Sequence, residues 1–251
     1  MKALITGASS GIGRDIARVL SNMGFDLILC ARREERLFEL ASTLKTSAEV
    51  IPCDLQKEED CLALFEKTKD KGVDFLINNA GFGLFGEFVE TPLKTELDMI
   101  NLNIKAVHIL TKLFAAHFDA LGGGIILNVA SSAGLMPGGP LMATYYATKA
   151  YVVSLSRGIS EELRKRGSKV KVSVLCPGPV DTEFDSVAGV SFSLSGLSSE
   201  RVAKYAVSKA LRGKNVIVPG NTVRLGIFSQ RFLSGKFVTK IAYKIQHKKG
   251  S

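Results

Sequence analysis

The chain has 251 residues, 46% hydrophobic and 23% charged, values that suit one large α/β domain and exclude a disordered chain. No apolar run reaches the roughly 18 residues that a membrane-crossing helix needs, and the expectation is a soluble protein. The net charge of +9 belongs to the tail: residues 201–251 hold twelve Lys or Arg and no Asp or Glu, the first 200 residues balance at −3, and a nucleic-acid-binding face is not expected.

Residues 3–5 form the first apolar run and lead straight into a Gly-rich loop, which leaves no room for a signal peptide and sets a cytoplasmic expectation. In that loop Gly7, Gly11 and Gly13 enclose Ser9, Ser10 and Ile12 ahead of a helix predicted near 12–23. Such a turn lets a diphosphate approach a helix N-terminus. Its Gly-x-x-x-Gly-x-Gly spacing is not the Gly-x-Gly-x-x-Gly fingerprint, and alone it also describes a tight structural turn. The second strand, at 25–30, ends in Ala31-Arg32-Arg33. The position where a carboxylate would hold a ribose 2′-hydroxyl thus carries Ala followed by two cations, which fits NADP(H) and not NAD. Arg32 is the favoured 2′-phosphate ligand, while Arg33 is divided between that role and pairing with Glu34 or Glu35.

A helix at 34–45 precedes the third strand at 49–53, after which Asp54-Leu55 offers an acceptor for an adenine amino group or a cap for the helix at 57–70. The fourth strand, 73–77, is followed by Asn79-Ala80-Gly81 at the expected sheet centre, and one long helix is predicted over 91–118. Strands at 125–129, 170–176 and 215–218 and helices at 145–166 and 199–212 complete an alternation that predicts an α/β fold: a doubly wound, seven-stranded parallel, Rossmann-like sheet flanked by helices, in a single domain. Pro177-Gly178-Pro179 closes the sixth strand, and residues 185–199 show no period and read as a loop over a substrate. Cys30, Cys53, Cys61 and Cys176 lie far apart without a Cys-x-x-Cys, so free thiols are expected and no metal site.

Tyr145 and Lys149 lie four apart on one helix face, placing an ammonium beside a phenol that can protonate a forming alkoxide. The neighbouring charge is expected to lower the phenol pKa from ~10. A serine hydroxyl nearby can hold a carbonyl oxygen. With these pieces the chain resembles the short-chain dehydrogenase/reductase family over residues 1–220: Thr6-Gly7-x-x-x-Gly11-Ile12-Gly13, Asn78-Asn79-Ala80-Gly81, Asn103, Ser132, Tyr145-x-x-x-Lys149 and Pro177-Gly178 followed by Thr182 stand in the family's order and spacing. The resemblance implies strand order 3-2-1-4-5-6-7, a homodimer or homotetramer, a nicotinamide cofactor touched also by Leu55 and Val180, and a catalytic set of Asn103, Ser132, Tyr145 and Lys149. Asn103 would support a water-mediated proton path to the Lys, and Thr182 would donate to the nicotinamide carboxamide or cap a helix. The thirteen-residue offset to Tyr145 favours Ser132 over Ser131, and Tyr146 is expected to pack against the sheet.

The activity implied is NADPH-dependent reduction of a small-molecule ketone, or reversible oxidation of a secondary alcohol. Phe82, Leu84, Phe85, Leu135, Met136 and the 185–199 loop would build an apolar pocket. A 3-oxoacyl thioester reductase, with the basic tail attracting an acidic carrier, is the alternative enzyme. A non-catalytic dinucleotide-binding sensor would have no need of the catalytic set. Residues 221–251 continue beyond this framework: Leu233, Phe237, Ile241 and Ile245 recur every four residues with Val238 and Ala242 alongside, and Lys236, Lys240, Lys244, Lys248 and Lys249 occupy other positions. This predicts a basic amphipathic helix that docks on the body or a subunit interface, the favoured reading, or contacts an anionic membrane.

Overall fold

The computed structural model describes residues 1–184, 188–189 and 196–247. Most of the predicted 185–199 loop, with Lys248 and Lys249, lies outside the described residues. All seven predicted strands form: β1 (Lys2–Thr6), β2 (Asp26–Ala31), β3 (Ala48–Pro52), β4 (Val73–Asn78), β5 (Gly124–Val129), β6 (Val170–Leu175) and β7 (Val216–Ile217). Every pairing between them is parallel and their order is 3-2-1-4-5-6-7.

Both sheet faces are covered, which is why the strands read as continuous apolar runs. Alternate residues of each strand serve different cores. Ile5, Leu29 and Phe75 pack with Ile16 and Leu20 of α1 (Gly11–Asn22), Leu37 of α2 (Glu34–Ser42) and Val202 and Ala206 of α7 (Ser199–Leu211). Leu4, Ile28, Leu76 and Ile126 pack on the opposite face with Leu64 of α3 (Glu58–Thr68), Phe114 and Phe118 of α5 (Val107–Ala120) and Leu163 of α6 (Ala143–Lys165). No helix among the described residues is long and apolar enough to cross a membrane.

The long helix predicted over 91–118 is instead three pieces, α4 (Leu93–Ile100), a π-helical turn at Asn101–Ala106, and α5. The wider turn adds a residue within an apolar periodicity that a straight helix would also satisfy, so the pattern does not betray it. Beyond β7 the chain forms α8 (Asn221–Ser229), a 3₁₀ turn at Gln230–Phe232 and α9 (Gly235–His247). α9 docks through Val238, Ala242 and Gln246, whereas its Phe237, Ile241 and Ile245, and Leu233 just before it, are exposed. The four-residue apolar repeat therefore marks the exposed side of this helix.

Buried amides stitch the central strands to their helices. Asn78 Nδ2 donates to Thr111 Oγ1 at 3.1 Å and to Asn128 Oδ1 at 2.9 Å, and Asn128 Nδ2 donates to Ser156 Oγ at 3.0 Å. All four side chains are buried, so removing one strands its partners without water. Asn128→Ala is expected to cost about 2–4 kcal/mol of unfolding free energy. Urea denaturation measures it, and a change under about 0.5 kcal/mol, the range of a neutral surface substitution, would contradict a cooperative buried network.

Candidate active site

The carboxyl ends of the central strands open on a cavity of about 440 Å³, bordered by every residue predicted for cofactor or catalysis except Gly13 and Asn103. A Cβ on Gly13 would strike the Asn79 amide and the Gly7 carbonyl. Gly7 adopts φ +64° and its missing Cβ lets Ala80 Cα approach to 2.8 Å of where it would stand. α1 then begins at Gly11 with no acidic residue in its first turn, and the Ser10 side chain caps none of its N–H groups. A tight glycine cradle leading to uncapped helix amides fits the diphosphate of a dinucleotide.

At the end of β2 the structure differs from the expectation for Arg33. Its guanidinium reaches over the glycine turn, donating to Ser10 Oγ at 2.9 Å and Ser9 Oγ at 3.3 Å, and it pairs with Glu183 at 2.9 Å in place of Glu34 or Glu35. Arg36 joins the same carboxylate at 2.6 Å, and these two arginines hold the Glu183 carboxyl below its ordinary range. Arg32 borders the cavity and is exposed. Asp54 is not the cap of α3, whose entry residue is Lys57; its Oδ1 instead accepts the Gln56 N–H at 3.3 Å in a local turn. Thr182 Oγ1 accepts the Phe184 N–H at 3.2 Å and its methyl group lies against Gly11.

At the other end of the cavity, α6 presents Tyr145 and Lys149, both buried. Ser131 and Ser132 both border the cavity beside the Tyr145 phenol, and of the two it is Ser131 that draws the phenol pKa down. Ser131 ends the extended segment after β5, and its Oγ accepts the Ala133 N–H at 3.1 Å. Ser132 begins a 3₁₀ turn, with its N–H donating to the Pro177 carbonyl at 2.7 Å. Asn103 Nδ2 donates to the Phe82 carbonyl at 2.9 Å and Thr148 Oγ1 at 3.1 Å, while its Oδ1 accepts the Phe82 N–H at 3.1 Å. Its amide thus ties the segment after β4 to α6.

The phenol sits in an apolar cluster with Met99, Ala133, Met142, Phe82, Leu84, Phe85 and Phe184. The Phe184 ring centroid is 5.4 Å from that of Tyr145. Leu135 is a correction, since it packs in a separate cluster with Val152 and Val174. Met136 does not border the cavity. Tyr146 is a second correction: it lines the cavity instead of the sheet, and its hydroxyl accepts from Gln246 Nε2 at 2.8 Å. Gln246 also borders the cavity, on a helix whose apolar and basic repeats are its only signals in the sequence, and no sequence pattern marks it as a site residue.

The sequence model described as short chain dehydrogenase matches residues 1–189. A Bos taurus protein named dehydrogenase/reductase SDR family member 11 is 33% identical over 225 residues, 85% of this chain and 86% of that one. A solved short-chain dehydrogenase from Sphingobium yanoikuyae, in complex with NADPH, is similar with a TM-score of 0.83 at 31% identity, covering 92% of this chain and 93% of that chain. A short-chain dehydrogenase/reductase from Burkholderia phymatum, in complex with NAD, gives 0.84 at 25% identity over 92% of each.

Burial sets the charges of the inner site. It pushes the Tyr145 phenol up to about 12, against the pull of the Ser131 hydrogen bond, and the lowering expected from Lys149 does not appear. Lys149 Nζ lies 5.8 Å from the Tyr145 ring centroid and donates to the Val129 carbonyl at 3.1 Å. Desolvation brings the ammonium down to about 8 from 10.5. Between those two values the unfolded chain binds the proton and the folded one does not, so this group's contribution to stability rises with pH. Below about 8 the charged form carries its full burial cost, on the order of 3 kcal/mol. Lys149→Met is therefore expected to be more stable than the parent at pH 7, by an amount that shrinks on going to pH 10. Denaturant titrations of both proteins at the two pH values test this, and a constant difference would refute it.

Proposed function

The chain belongs to the short-chain dehydrogenase family of oxidoreductases, and from that premise we propose that it is an NADPH-dependent reductase of ketones, running reversibly on secondary alcohols. The observation that carries this reading is the buried Tyr145 phenol, set in an apolar enclosure with Ser131 and Ser132 on the same cavity, whose other end is the glycine cradle. NADPH supplies the hydride. Gly7, Gly11 and the start of α1 would hold its diphosphate, Arg32 and Arg33 its 2′-phosphate, and Lys149 its nicotinamide ribose. Ala31 supports the choice of NADPH, because no carboxylate stands there to accept from a free 2′-hydroxyl and repel a phosphate.

Ser131, in place of the Ser132 that the thirteen-residue spacing favours, takes the role of carbonyl ligand: its hydroxyl donates to the carbonyl oxygen and stabilises the charge that develops there. Tyr145 delivers a proton to that oxygen. A phenol whose pKa is about 12 holds its proton at neutral pH and still surrenders it to the far more basic alkoxide. Asn103 is a positioning residue, holding Phe82 and α6 in register. The apolar walls exclude water from the exchange and suit an apolar ketone.

The test is NADPH oxidation against a panel of ketones, comparing the parent with Ser131→Ala, Ser132→Ala, Tyr145→Phe, Tyr146→Phe and Arg32→Asp. Tyr145→Phe is expected to lower kcat by at least about 100-fold with NADPH binding nearly intact, and Ser131→Ala to lower it at least about 10-fold more than Ser132→Ala. Tyr146→Phe should retain measurable turnover. The parent should bind NADPH more tightly than NADH, and Arg32→Asp should remove most of that preference. Equal affinity for both cofactors would sink the NADPH assignment, and greater loss in Ser132→Ala or Tyr146→Phe would sink the assigned residues.

A further inference from the structure

The C-terminal helix α9 brings a polar group to the substrate end of the cavity. Gln246 is 3% exposed, and its Nε2 donates to the Tyr146 hydroxyl at 2.8 Å. Its Oε1 is buried with no hydrogen-bond partner among the described residues. An amide carbonyl kept from water without a donor is unfavourable, and its side chain here borders the same cavity as Tyr145. The amide meets the hydroxyl of Tyr146, whose ring centroid is 6.3 Å from that of Tyr145. Around it the walls are apolar, with Phe82, Met142 and Phe184 on the cavity.

We infer that Gln246 forms a polar subsite for a hydroxyl group carried by the substrate away from its reacting carbonyl, so that the preferred substrates are apolar ketones bearing a remote hydroxyl. The inference rests on the reductase reading proposed above. A hydroxyl donates to the unpaired Oε1 and, through its own oxygen, can also accept from a neighbour, which an apolar substituent cannot do. A ketone lacking the hydroxyl leaves the carbonyl unpaired, and that difference becomes discrimination between substrates.

The experiment uses the full chain with paired ketones, each pair differing by one hydroxyl, the hydroxyl placed at graded distances from the carbonyl across the pairs. At one distance the hydroxylated member should be favoured in kcat/KM by on the order of 10- to 100-fold. Gln246→Leu should abolish that ratio while NADPH affinity and turnover of the plain ketone persist. Gln246→Glu, which keeps an acceptor, should retain it. Calorimetric binding of the same pairs measures the preference without turnover, so absence of reduction counts against the reductase reading alone. No preference at any distance, in rate or binding, or a preference undiminished in Gln246→Leu, overturns the subsite.

The outer side of the same extension carries an independent observation. Leu225, Phe228, Phe232, Leu233, Phe237 and Ile241 are exposed, as are Tyr243 and Ile245. Lys236, Lys240 and Lys244 each precede a residue of the Phe237, Ile241, Ile245 stripe and so run along its border, with Arg224 and Arg231 nearby in sequence and no carboxylate between residues 201 and 251. A second copy seated on this face would bring cations against cations. The charge and the apolar stripe together point to an anionic lipid surface as the occupant. Full-length protein should sediment at low salt with vesicles of phosphatidylglycerol and phosphatidylcholine but not with phosphatidylcholine alone, and release as salt is raised. Replacing Lys236, Lys240 and Lys244 with Ser should weaken binding by at least about 10-fold, each cation near such a surface contributing on the order of 1 kcal/mol. Absence of vesicle binding at low salt, or a dimer that Phe237→Ser dissociates, overturns the assignment.

Discussion

The site hangs on a clasp between the ends of β1 and β4. Thr6 Oγ1 accepts the backbone N–H groups of Asn79 and Ala80 at 3.0 and 3.1 Å, and Asn79 Nδ2 returns donors to the Thr6 and Gly7 carbonyls at 3.0 Å each. These strands are where the chain changes direction across the sheet, with β2 and β3 on one side and β5 to β7 on the other. The crossovers on either side diverge there, and the clasp closes the floor of the crevice they leave. It also brings backbone close enough that Gly7 and Gly13 have no room for a side chain. The glycines of the turn thus answer to Asn79 and Ala80 as well as to any ligand. Structural turn and phosphate cradle are two consequences of one contact rather than rivals.

The strands and most helices are legible in the sequence because burial on both faces of a parallel sheet leaves long apolar runs, and helices between them keep a single exposed side. Tyr145 and Lys149 are legible for a related reason: four residues on a helix fix a common face whatever surrounds it. Ser131 is not. It stands where strand geometry gives way to a 3₁₀ turn, and neither period carries across such a junction. Asn103 is legible as a residue but not in its setting, since only the π turn shows how its amide meets Phe82 and Thr148. Arg33 has carboxylates beside it in sequence, whereas the one it pairs with, Glu183, lies 150 positions away.

The tail shows how a correct pattern can lead to the wrong face. Hydrophobic periodicity ranks residues by apolarity, and the largest groups of α9, Phe237, Ile241 and Ile245, make the strongest repeat. Close docking favours small side chains instead. Val238 and Ala242 let the helix approach the body, and the approach carries Gln246 into the cavity wall. Thr239 beside Gly138, and Gly235 beside Pro137, follow the same rule of close contact through little bulk.

The inner site concentrates costs that the rest of the fold must offset. Two titratable groups, Tyr145 and Lys149, are buried, and desolvation is the largest influence on each. Lys149 has a backbone carbonyl for a partner, and no carboxylate raises its pKa; the nearby Cys176 thiol, pushed up by burial to about 12, is neutral where the ammonium titrates. Replacing such a group with an apolar one would relieve the fold, as would filling the cavity between the glycine turn and Phe184. The buried amide network of Asn78, Asn128 and Ser156 works against that strain from directly beneath, fixing β4, β5 and α6 to one another. A dry phenol and an ammonium held without a carboxylate are poor elements of a core, and they are suited to a polar ligand that completes their interactions on entering.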